Sequence, residues 1–326
     1  CYENKLKFEK FRDKIKIIKN KRNKNLFITS NNFKKKINQV NYLGTCLAFD
    51  YSSIIYLYIS KQSKYNCYIV DPPNLITKTK FKNFYIFHKV RKLIKELIIK
   101  KSLHHATKVM AMTKTNGNDF YKFYNIKPII VYPGCNIKKI KQKKTKTFNY
   151  KNLRFLTISR IEKNKNIDWL LYLLRKILQQ KKELEINKIS LDIVGKGKDE
   201  GKIKKIISKF KLNNIIKLHG FVSEKKKQNL LKNCSINLIP GYQGYGIPVL
   251  ESLFLGIPTV VNSASRVSEV LGTIKTAKIT PDNKKKFIDK TINFIKFLKK
   301  EKKVNLNLKK LPTAENWTNH IASLCG

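Results

Sequence analysis

Residues 235–261, SINLIPGYQGYGIPVLESLFLGIPTVV, carry the clearest structural pattern of the sequence. It begins with a short apolar run, continues through a loop with three glycines, and then gives an apolar segment of helical length and a second apolar run. Short apolar runs on either side of a helical segment are typical of parallel strands joined by a helix. Pro248 stands in the expected first turn of that helix, where its missing N–H costs nothing. The stretch therefore predicts strand, glycine loop, helix and strand.

The same alternation runs through the second half of the chain. Its apolar runs are 153–158, 189–194, 215–218, 235–240 and 257–261, with a weaker one at 276–280. Between two of them, Ile203, Ile206, Ile207 and Phe210 form one helical stripe. Ser223 is expected to cap the next helix, because its hydroxyl can accept a hydrogen bond from the first turn. This half is predicted to be a doubly wound α/β domain.

The first half gives the same class of fold with weaker patterns. Its candidate strands are 14–18, 25–29, 65–71, 108–112 and 128–134, and a helix is predicted over 88–106. The lysine-rich segment 136–152 has no apolar periodicity and is predicted to link two domains. Two α/β domains joined there would have a cleft between them.

The composition is that of a folded and very basic protein. The chain has 326 residues with 70 Lys+Arg and 21 Asp+Glu, a formal net charge of +49, and 42% hydrophobic residues. This apolar content supports real cores and excludes wholesale disorder. The lysines are spread along the whole chain together with asparagine and isoleucine, as an AT-rich coding sequence would give without selection for a partner. A functional basic surface for nucleic acid or an anionic membrane is the alternative.

The sequence carries no recognisable metal, disulfide or membrane motif. The six cysteines form no CxxC pair and the five histidines no HExxH array, so we expect isolated thiols in a reducing compartment and no metal site. The most apolar stretch, 47–59, is too short to span a bilayer and contains Asp50. No transmembrane helix and no signal peptide are visible, and a cytoplasmic location is expected.

Ligands of open parallel sheets bind beyond the carboxyl ends of the strands, so the loops there carry the candidate chemistry. SRIEKNKN (159–166) contains Arg160 and Lys165, and two cations suit a diphosphate, although a solvated basic loop is the plainer alternative. VGKGKD (194–199) contributes two glycines, for which an ordinary turn is at least as good an explanation.

Residues 235–261 carry the third candidate for a ligand-binding loop. Gly241, Gly244 and Gly246 allow backbone N–H groups to approach a ligand closely. Glu251 follows in an apolar helix, where a carboxylate is costly unless it meets a ligand hydroxyl or a cation. A structural turn followed by a partly exposed glutamate is the alternative.

This stretch resembles the signature of the family 4 retaining glycosyltransferases of the GT-B fold, in which a Glu, seven residues and a second Glu follow one another. Four other motifs occur in the family's order, namely SRIEKNKN, LDIVGKG, HGFVSEKK and SEVL. The resemblance extends upstream to VMAMTKTNGNDFYKFYNIKPIIVYPGCN and downstream to ENWTNHIASL with Trp317, from about residue 105 to the end. It implies two Rossmann-like doubly wound domains with an interdomain cleft.

The family's domain plan is carried over with the following boundaries. Residues 1–150 would be an acceptor-side α/β domain that is short for the family, and is therefore either reduced or truncated. Residues 151–310 would bind the nucleotide sugar, and 311–326 would form a helix that packs back toward the first domain.

The resemblance also assigns roles to individual residues. Arg160 and Lys165 would hold the donor diphosphate and stabilise the departing nucleotide, with Gln243 as the third catalytic position. Gln243 replaces the first Glu of the signature, and an amide can hydrogen-bond a hydroxyl but supplies no negative charge. The other donor-binding positions are Gly195, Gly197, Phe221, Gly244, Tyr245, Gly246, Ile247, Glu251 and Glu269. Glu251 would bind the ribose hydroxyls, the glycine loop would approach the sugar or its phosphate, and His88 is the acceptor-side candidate.

The function implied by the resemblance is a retaining, metal-independent hexosyltransferase of EC class 2.4. It would move mannose, glucose or a related sugar from GDP-mannose or a UDP-sugar to a lipid-linked or other glycan acceptor, without a cofactor. Peripheral association with the cytoplasmic face of a membrane is expected, and nucleic acid is not an expected partner. Two alternatives stay open: a catalytically impaired nucleotide-sugar-binding or scaffold protein of the same fold, suggested by Gln243, and nucleic-acid binding driven by the net charge.

Overall fold

The structure is a computed structural model that describes residues 45–49, 51–61, 64–71, 73, 85–137, 145–301, 303–305 and 308–325. The predicted strands at 14–18 and 25–29 lie outside these residues. The chain divides into two compact units, and the second is inserted in the sequence of the first. The first unit is Cys1–Pro133 with Glu315–Gly326, and the second is Gly134–Ala314.

The first unit contains a parallel sheet in the order β1-β2-β3-β4 among its described residues. Its elements are β1 (Cys46–Ala48), α1 (Tyr51–Ile59), β2 (Tyr65–Ile69), α2 (Tyr85–His105), β3 (Lys108–Ala111), α3 (Lys114–Tyr124) and β4 (Ile129–Ile130). The predictions of three strands and one helix over this part of the chain are confirmed, and the helix begins three residues earlier than predicted. Its core includes Phe120, whose ring stacks on that of Tyr51 at a centroid distance of 6.1 Å.

The second unit is built on six parallel strands in the order β11-β10-β9-β6-β7-β8. Its elements are β5 (Thr145–Thr147), β6 (Asn152–Ile158), α4 (Ile167–Gln179), β7 (Lys188–Val194), α5 (Glu200–Lys209), β8 (Ile216–Gly220), α6 (Glu224–Asn233), β9 (Ile236–Ile239), α7 (Ile247–Phe254), β10 (Thr259–Asn262), β11 (Ala277–Thr280), α8 (Lys284–Glu301) and β12 (Lys303–Asn305). All six apolar runs identified in the sequence are strands of this sheet. The prediction of a doubly wound α/β architecture is therefore confirmed.

The helices of this unit pack as their apolar stripes require. In α5, Ile203 and Ile207 are buried, and Ile206 and Phe210 pack against the same core. Ser223 caps α6, because its Oγ accepts a hydrogen bond from the N–H of Lys226 at 3.3 Å. These two local predictions are confirmed.

The described part of the lysine-rich segment 136–152 belongs to the second unit, whereas the sequence predicts a linker between two domains. The two units divide between Pro133 and Gly134, before this segment. Within it, β5 pairs antiparallel with β12, and Phe148 is buried. A three-residue strand whose partner lies more than 150 residues away leaves no periodic signal in the sequence.

The chain enters and leaves the second unit at neighbouring points. The N–H of Cys135 donates to the carbonyl of Pro312 at 3.2 Å, and the N–H of Ala314 donates to the carbonyl of Cys135 at 2.9 Å. A Cβ atom on Gly134 would lie 1.9 Å from the carbonyl carbon of Thr313, so this crossing requires glycine.

The last helix, α9 (Ala314–Cys325), packs in the first unit from Glu315 onward. The ring of Trp317 lies 5.6 Å from that of Tyr68 and 6.4 Å from that of Phe49. The Nζ of Lys108 donates to the carbonyl of Leu324 at 2.7 Å. Aromatic packing and this hydrogen bond therefore tie the end of the chain to β1–β3.

Candidate functional site

The loop after β6 holds two cations in different environments. The Arg160 side chain is 66% exposed and its Nη1 lies 3.1 Å from Oε1 of Glu162. Lys165 ends the 3₁₀ turn Lys163–Lys165 and is only 5% exposed. Arg160 is therefore accessible to an anionic ligand, whereas Lys165 is built into the protein.

Lys165 holds the glycine loop that follows β9. Its Nζ donates to the carbonyl of Tyr242 at 2.7 Å and lies 5.4 Å from the centroid of that ring. Burial lowers the pKa of Lys165 and the charge of Arg160 lowers it further, while Glu162 opposes both. Burial makes the charged form of Lys165 costly. An anion bound beside Lys165 would lower this cost, because a nearby opposite charge stabilises the ammonium group.

The glycine loop is fixed by its own carbonyl groups. Those that accept hydrogen bonds from neighbouring segments are Pro240, Gly241, Tyr242, Gln243 and Tyr245. The donors belong to residues 165–166 and to residues 262–267. The Tyr242 N–H is engaged as well, with the Asn164 carbonyl at 2.9 Å, so the backbone around Gly244 and Gly246 is what the loop can best offer a ligand.

The loop leads directly into the N-terminus of α7. Gly246 caps this helix with a φ of +96°, a conformation that favours glycine. Gly244 is exposed, and a Cβ atom there would meet nothing within 4 Å. A helix N-terminus beside an open glycine loop attracts anions, because unpaired N–H groups and the helix dipole both favour negative charge.

Glu251 meets a cation that the sequence analysis did not identify. The side chain of Glu251 is 13% exposed, and Lys227 of α6 reaches it with Nζ distances of 3.2 Å to Oε1 and 3.0 Å to Oε2. Lys227 also pairs with Glu224 at 2.9 Å. Burial lowers the pKa of Lys227, but Glu251 and Glu224 outweigh it and the net shift is upward. Lys227 stands in the run EKKKQ, where nothing in the sequence separates it from its neighbours.

Gly195 and Gly197 have a packing role in the fold. Gly195 has a φ of +129°, and a Cβ atom on it would lie 2.0 Å from the carbonyl oxygen of Ser159. A Cβ atom on Gly197 would lie 2.1 Å from the carbonyl oxygen of Ile161. The loops after β6 and β7 therefore touch backbone to backbone. Their glycines are explained by this contact, and the predicted contact with a ligand stays a prediction.

The other predicted positions divide between the two units. Phe221 directly follows β8 and is 77% exposed, which is unusual for a large apolar side chain. Gln243 and Ile247 are half-buried, Tyr245 is buried, and Glu269 lies half-buried in the 3₁₀ turn Arg266–Val270. His88 belongs to α2 of the first unit, in the first turn of that helix, and its side chain lies outside the described residues.

The second unit thus gathers most of the predicted residues at one place. Arg160 follows β6, Gly195 follows β7, Phe221 follows β8 and Gln243 follows β9. Because these four strands are parallel, the loops after them share the carboxyl edge of the sheet. His88 does not belong to this set.

A cavity of about 730 Å³ lies at the opposite edge, where the strands begin. Its lining includes Arg154, Lys181, Lys188 and Lys232. Two of these lysines stand near the C-termini of α4 and α6, where cations neutralise the negative end of the helix dipole. The cations therefore have a structural explanation, and the helix ends disfavour an anionic ligand in this cavity.

Within the described ranges, no three His, Cys, Asp or Glu side chains lie close enough together to hold a metal ion. The five cysteines that the structure describes are free thiols. Among the helices of the described residues, none is both long and apolar enough to cross a bilayer.

The sequence matches a known family over the part of the chain that carries this site. Residues 138–311 match the family of glycosyl transferases group 1, and this segment is more than half of the chain. The protein belongs to this family, and its fold is α/β of the GT-B type.

Two curated relatives and one solved structure illustrate the similarity. The GtfA subunit of the UDP-N-acetylglucosamine–peptide N-acetylglucosaminyltransferase of Streptococcus agalactiae is 28% identical over 184 residues, 54% of this chain and 34% of that protein. An uncharacterized glycosyltransferase of Methanocaldococcus jannaschii is 28% identical over 246 residues, 65% of this chain and 60% of that protein. The chain thus spans between about a third and three fifths of these relatives.

The structure of HepE from Anabaena in complex with UDP has a TM-score of 0.62 with 14% identity, covering 91% of this chain and 78% of that one. At this level of identity, the likeness concerns the fold.

Proposed function

We propose that this protein is a retaining glycosyltransferase that transfers a hexose from a nucleotide-diphosphate donor to an acceptor. One observation carries the proposal: two cations and the N-terminus of α7 with its glycine loop lie at the same edge of one sheet. The cations are Arg160 and Lys165, whose Nζ is bonded to the loop itself. A diphosphate bound there would meet positive charge from both side chains and from the helix N-terminus.

Stabilisation of the leaving group is the catalytic principle of this site. Breaking the bond between the sugar and the diphosphate leaves negative charge on the phosphate oxygens and oxocarbenium character on the sugar. Arg160 would leave its partner Glu162 and pair with the diphosphate. The ammonium group of Lys165 donates one hydrogen bond to the Tyr242 carbonyl, and its other N–H groups would donate to the diphosphate. Lys165, which the Tyr242 carbonyl already holds in place, would stabilise the departing charge without reorganisation. The chemistry we propose therefore needs no metal ion and no cofactor.

The donor nucleoside would lie along the loops after β8 and β9. The exposed Phe221 ring offers a stacking surface for a base, and Glu251 offers acceptors for the ribose hydroxyls. Gln243, Tyr245 and the glycines of the loop would meet the transferred sugar. Gly195, Gly197, Ile247 and Glu269 complete the proposed donor site from neighbouring loops.

The first unit is proposed to hold a lipid-linked or other glycan acceptor, with His88 as its candidate residue. The surface of α2 supports a location on the cytoplasmic face of a membrane. Leu93, Ile94 and Leu97 are each more than half exposed, and Lys95 and Lys100 beside them are exposed as well. Exposed apolar side chains flanked by lysines suit an anionic membrane surface.

The second candidate function is a nucleotide-sugar-binding or scaffold protein that has the same binding site but impaired catalysis. Gln243 lacks the negative charge of the glutamate that the family has at this position, so the protein would bind a nucleotide sugar without efficient turnover. Donor binding without turnover, together with turnover gained by Gln243→Glu, would favour this candidate over the first.

The first test is thermal unfolding against nucleotide sugars and free nucleotides in the presence of EDTA. A ligand that binds only the folded protein raises the melting temperature, and at one hundred times its Kd it adds about 2.7 kcal/mol to the stability. We expect a selective upward shift with one nucleotide and its sugar conjugate. If none of the UDP- or GDP-linked ligands changes the melting temperature, the proposed donor site is wrong.

Replacing Phe221 with alanine is expected to weaken nucleotide binding about five- to 150-fold, because stacking of one base on an aromatic ring contributes about 1–3 kcal/mol. The melting temperature without ligand should not fall, since the ring is 77% exposed. Titration calorimetry with the nucleotide chosen by the thermal test measures the change. Phe221→Tyr is the matched control and should bind like the wild type. Equal affinities of the alanine variant and the wild type would remove Phe221 from the site.

A further inference from the structure

The pair formed by Lys227 and Glu251 joins two helices of the second unit. Lys227 belongs to α6 and Glu251 to α7, and the two side chains are 18% and 13% exposed. Both carboxylate oxygens lie within 3.2 Å of the same Nζ. The pair is therefore largely withdrawn from water, with Nζ donating a hydrogen bond to Oε1 and lying 3.0 Å from Oε2, which accepts no hydrogen bond from the described residues.

Stability alone explains this pair poorly. Removing two charges from water costs about as much free energy as their attraction returns, so a buried pair adds little to stability compared with apolar side chains of the same size. The chain contains 21 acidic residues against 70 basic ones, so a carboxylate enclosed in an apolar helix is rare here. Glu251 also stands near the glycine loop, four residues after the start of α7.

Lys227 itself is held by its own helix. Its backbone N–H donates to the carbonyl of Ser223 at 2.9 Å, and Ser223 caps the first turn of α6. Its second partner, Glu224, is 68% exposed and has water as an alternative partner. Cys135 also lies near the pair, and burial raises the pKa of this thiol to about 12, with Glu251 adding to the shift and Lys227 opposing it. The thiol is therefore neutral, and Lys227 is the cation that faces Glu251.

We propose that Lys227 is a positioning residue that fixes the Glu251 carboxylate for recognition of the donor ribose. This inference rests on the proposed function, and it adds a residue that orients the contact between Glu251 and the donor ribose. Nζ holds Oε1, whereas the buried Oε2 accepts no hydrogen bond from the residues that the structure describes and would be the atom that accepts one from a ribose hydroxyl. Without Lys227, the carboxylate loses its orientation and its compensating charge.

The test compares binding of UDP and GDP with binding of their 2′,3′-dideoxy forms. Wild-type protein should prefer the hydroxylated nucleotide about tenfold or more, because hydrogen bonds to a charged group are strong. Lys227→Met should lose most of this preference by weakening the hydroxylated nucleotide, while the dideoxy form binds as before. A purely structural loss would weaken both forms equally.

Three further variants control the comparison. Lys226→Met removes the same charge from an exposed position of α6 and should keep the full preference. Lys227→Arg should restore it, since a guanidinium can hold both carboxylate oxygens. In a Glu251→Gln background, Lys227→Met should cause no further loss of preference.

The outcomes separate the two levels of the proposal. Wild-type protein that binds neither UDP nor GDP overturns the proposed function and the inference together. Wild-type protein that prefers the hydroxylated nucleotide, with an equal preference in Lys227→Met, overturns the positioning role alone. Should Lys227→Met not fold, Lys227→Arg compared with Lys227→Gln decides the same question, because glutamine keeps a donor but no charge.

Discussion

Replacing Arg160 and Lys165 together with alanine is expected to reduce sugar transfer and donor hydrolysis by at least about a thousandfold. Losing even one preorganised donor at a developing anion costs about 10²–10³ in rate, and this variant loses two charges. Release of the nucleotide diphosphate from the donor identified by thermal unfolding measures the effect. Lys163→Ala, an exposed lysine of the same turn, is the matched control and should keep the wild-type rate.

The two single variants should differ in a second measurement. Arg160→Ala should leave the melting temperature unchanged, because this side chain is exposed and pairs only with Glu162 among its described contacts. Lys165→Ala should lower the melting temperature as well as the rate, because the Tyr242 carbonyl loses its donor. Transfer and hydrolysis that both survive in the double variant would refute the assigned mechanism.

Replacing Gly195 with alanine is expected to destabilise the protein by about 3 kcal/mol or more. The added Cβ would lie 2.0 Å from the Ser159 carbonyl oxygen, and the φ of +129° is one that side chains rarely adopt. Backbone on both sides leaves nothing flexible to move away. Chemical denaturation of the purified protein, followed by far-UV circular dichroism, measures the loss in the free energy of unfolding.

Gly201, the second residue of α5, provides the opposite expectation. Gly201 lies in α5, is exposed, and has nothing within 4 Å of its Cβ position. Gly201→Ala should therefore stabilise the protein by up to about 1 kcal/mol, because alanine is the better helix former. Equal stability of Gly195→Ala and Gly201→Ala would contradict the tight contact between the loops after β6 and β7.

Local patterns carried most of what the sequence could predict about the second unit. Each of its six strands is a short apolar run, and the Ser223 cap is a feature of a few neighbouring residues, so both follow from nearby sequence. The contact made by Gly195 could be predicted only in part. The sequence singles out the glycine, but its neighbour Ser159 follows a different strand, β6. Close packing of two loops is a property of the folded chain.

The parts that the sequence did not yield depend on pairing between distant residues. Lys227 reaches Glu251 across two helices, and three consecutive lysines in α6 were equal candidates for that contact. The β5–β12 pair joins two lysine-rich segments that have no apolar pattern. In both cases the side-chain chemistry is common in the chain, and only the geometry of the fold selects a particular residue.

The position of α9 has a consequence for the order in which the protein is completed during synthesis. Trp317 packs against Phe49 and Tyr68, yet the whole second unit, Gly134–Ala314, is translated between these aromatic residues and Trp317. The ribosome must therefore deliver the inserted unit before the first unit can complete this aromatic cluster. An early stop within 134–314 would therefore leave both units unfinished, because the first unit would lack its last helix.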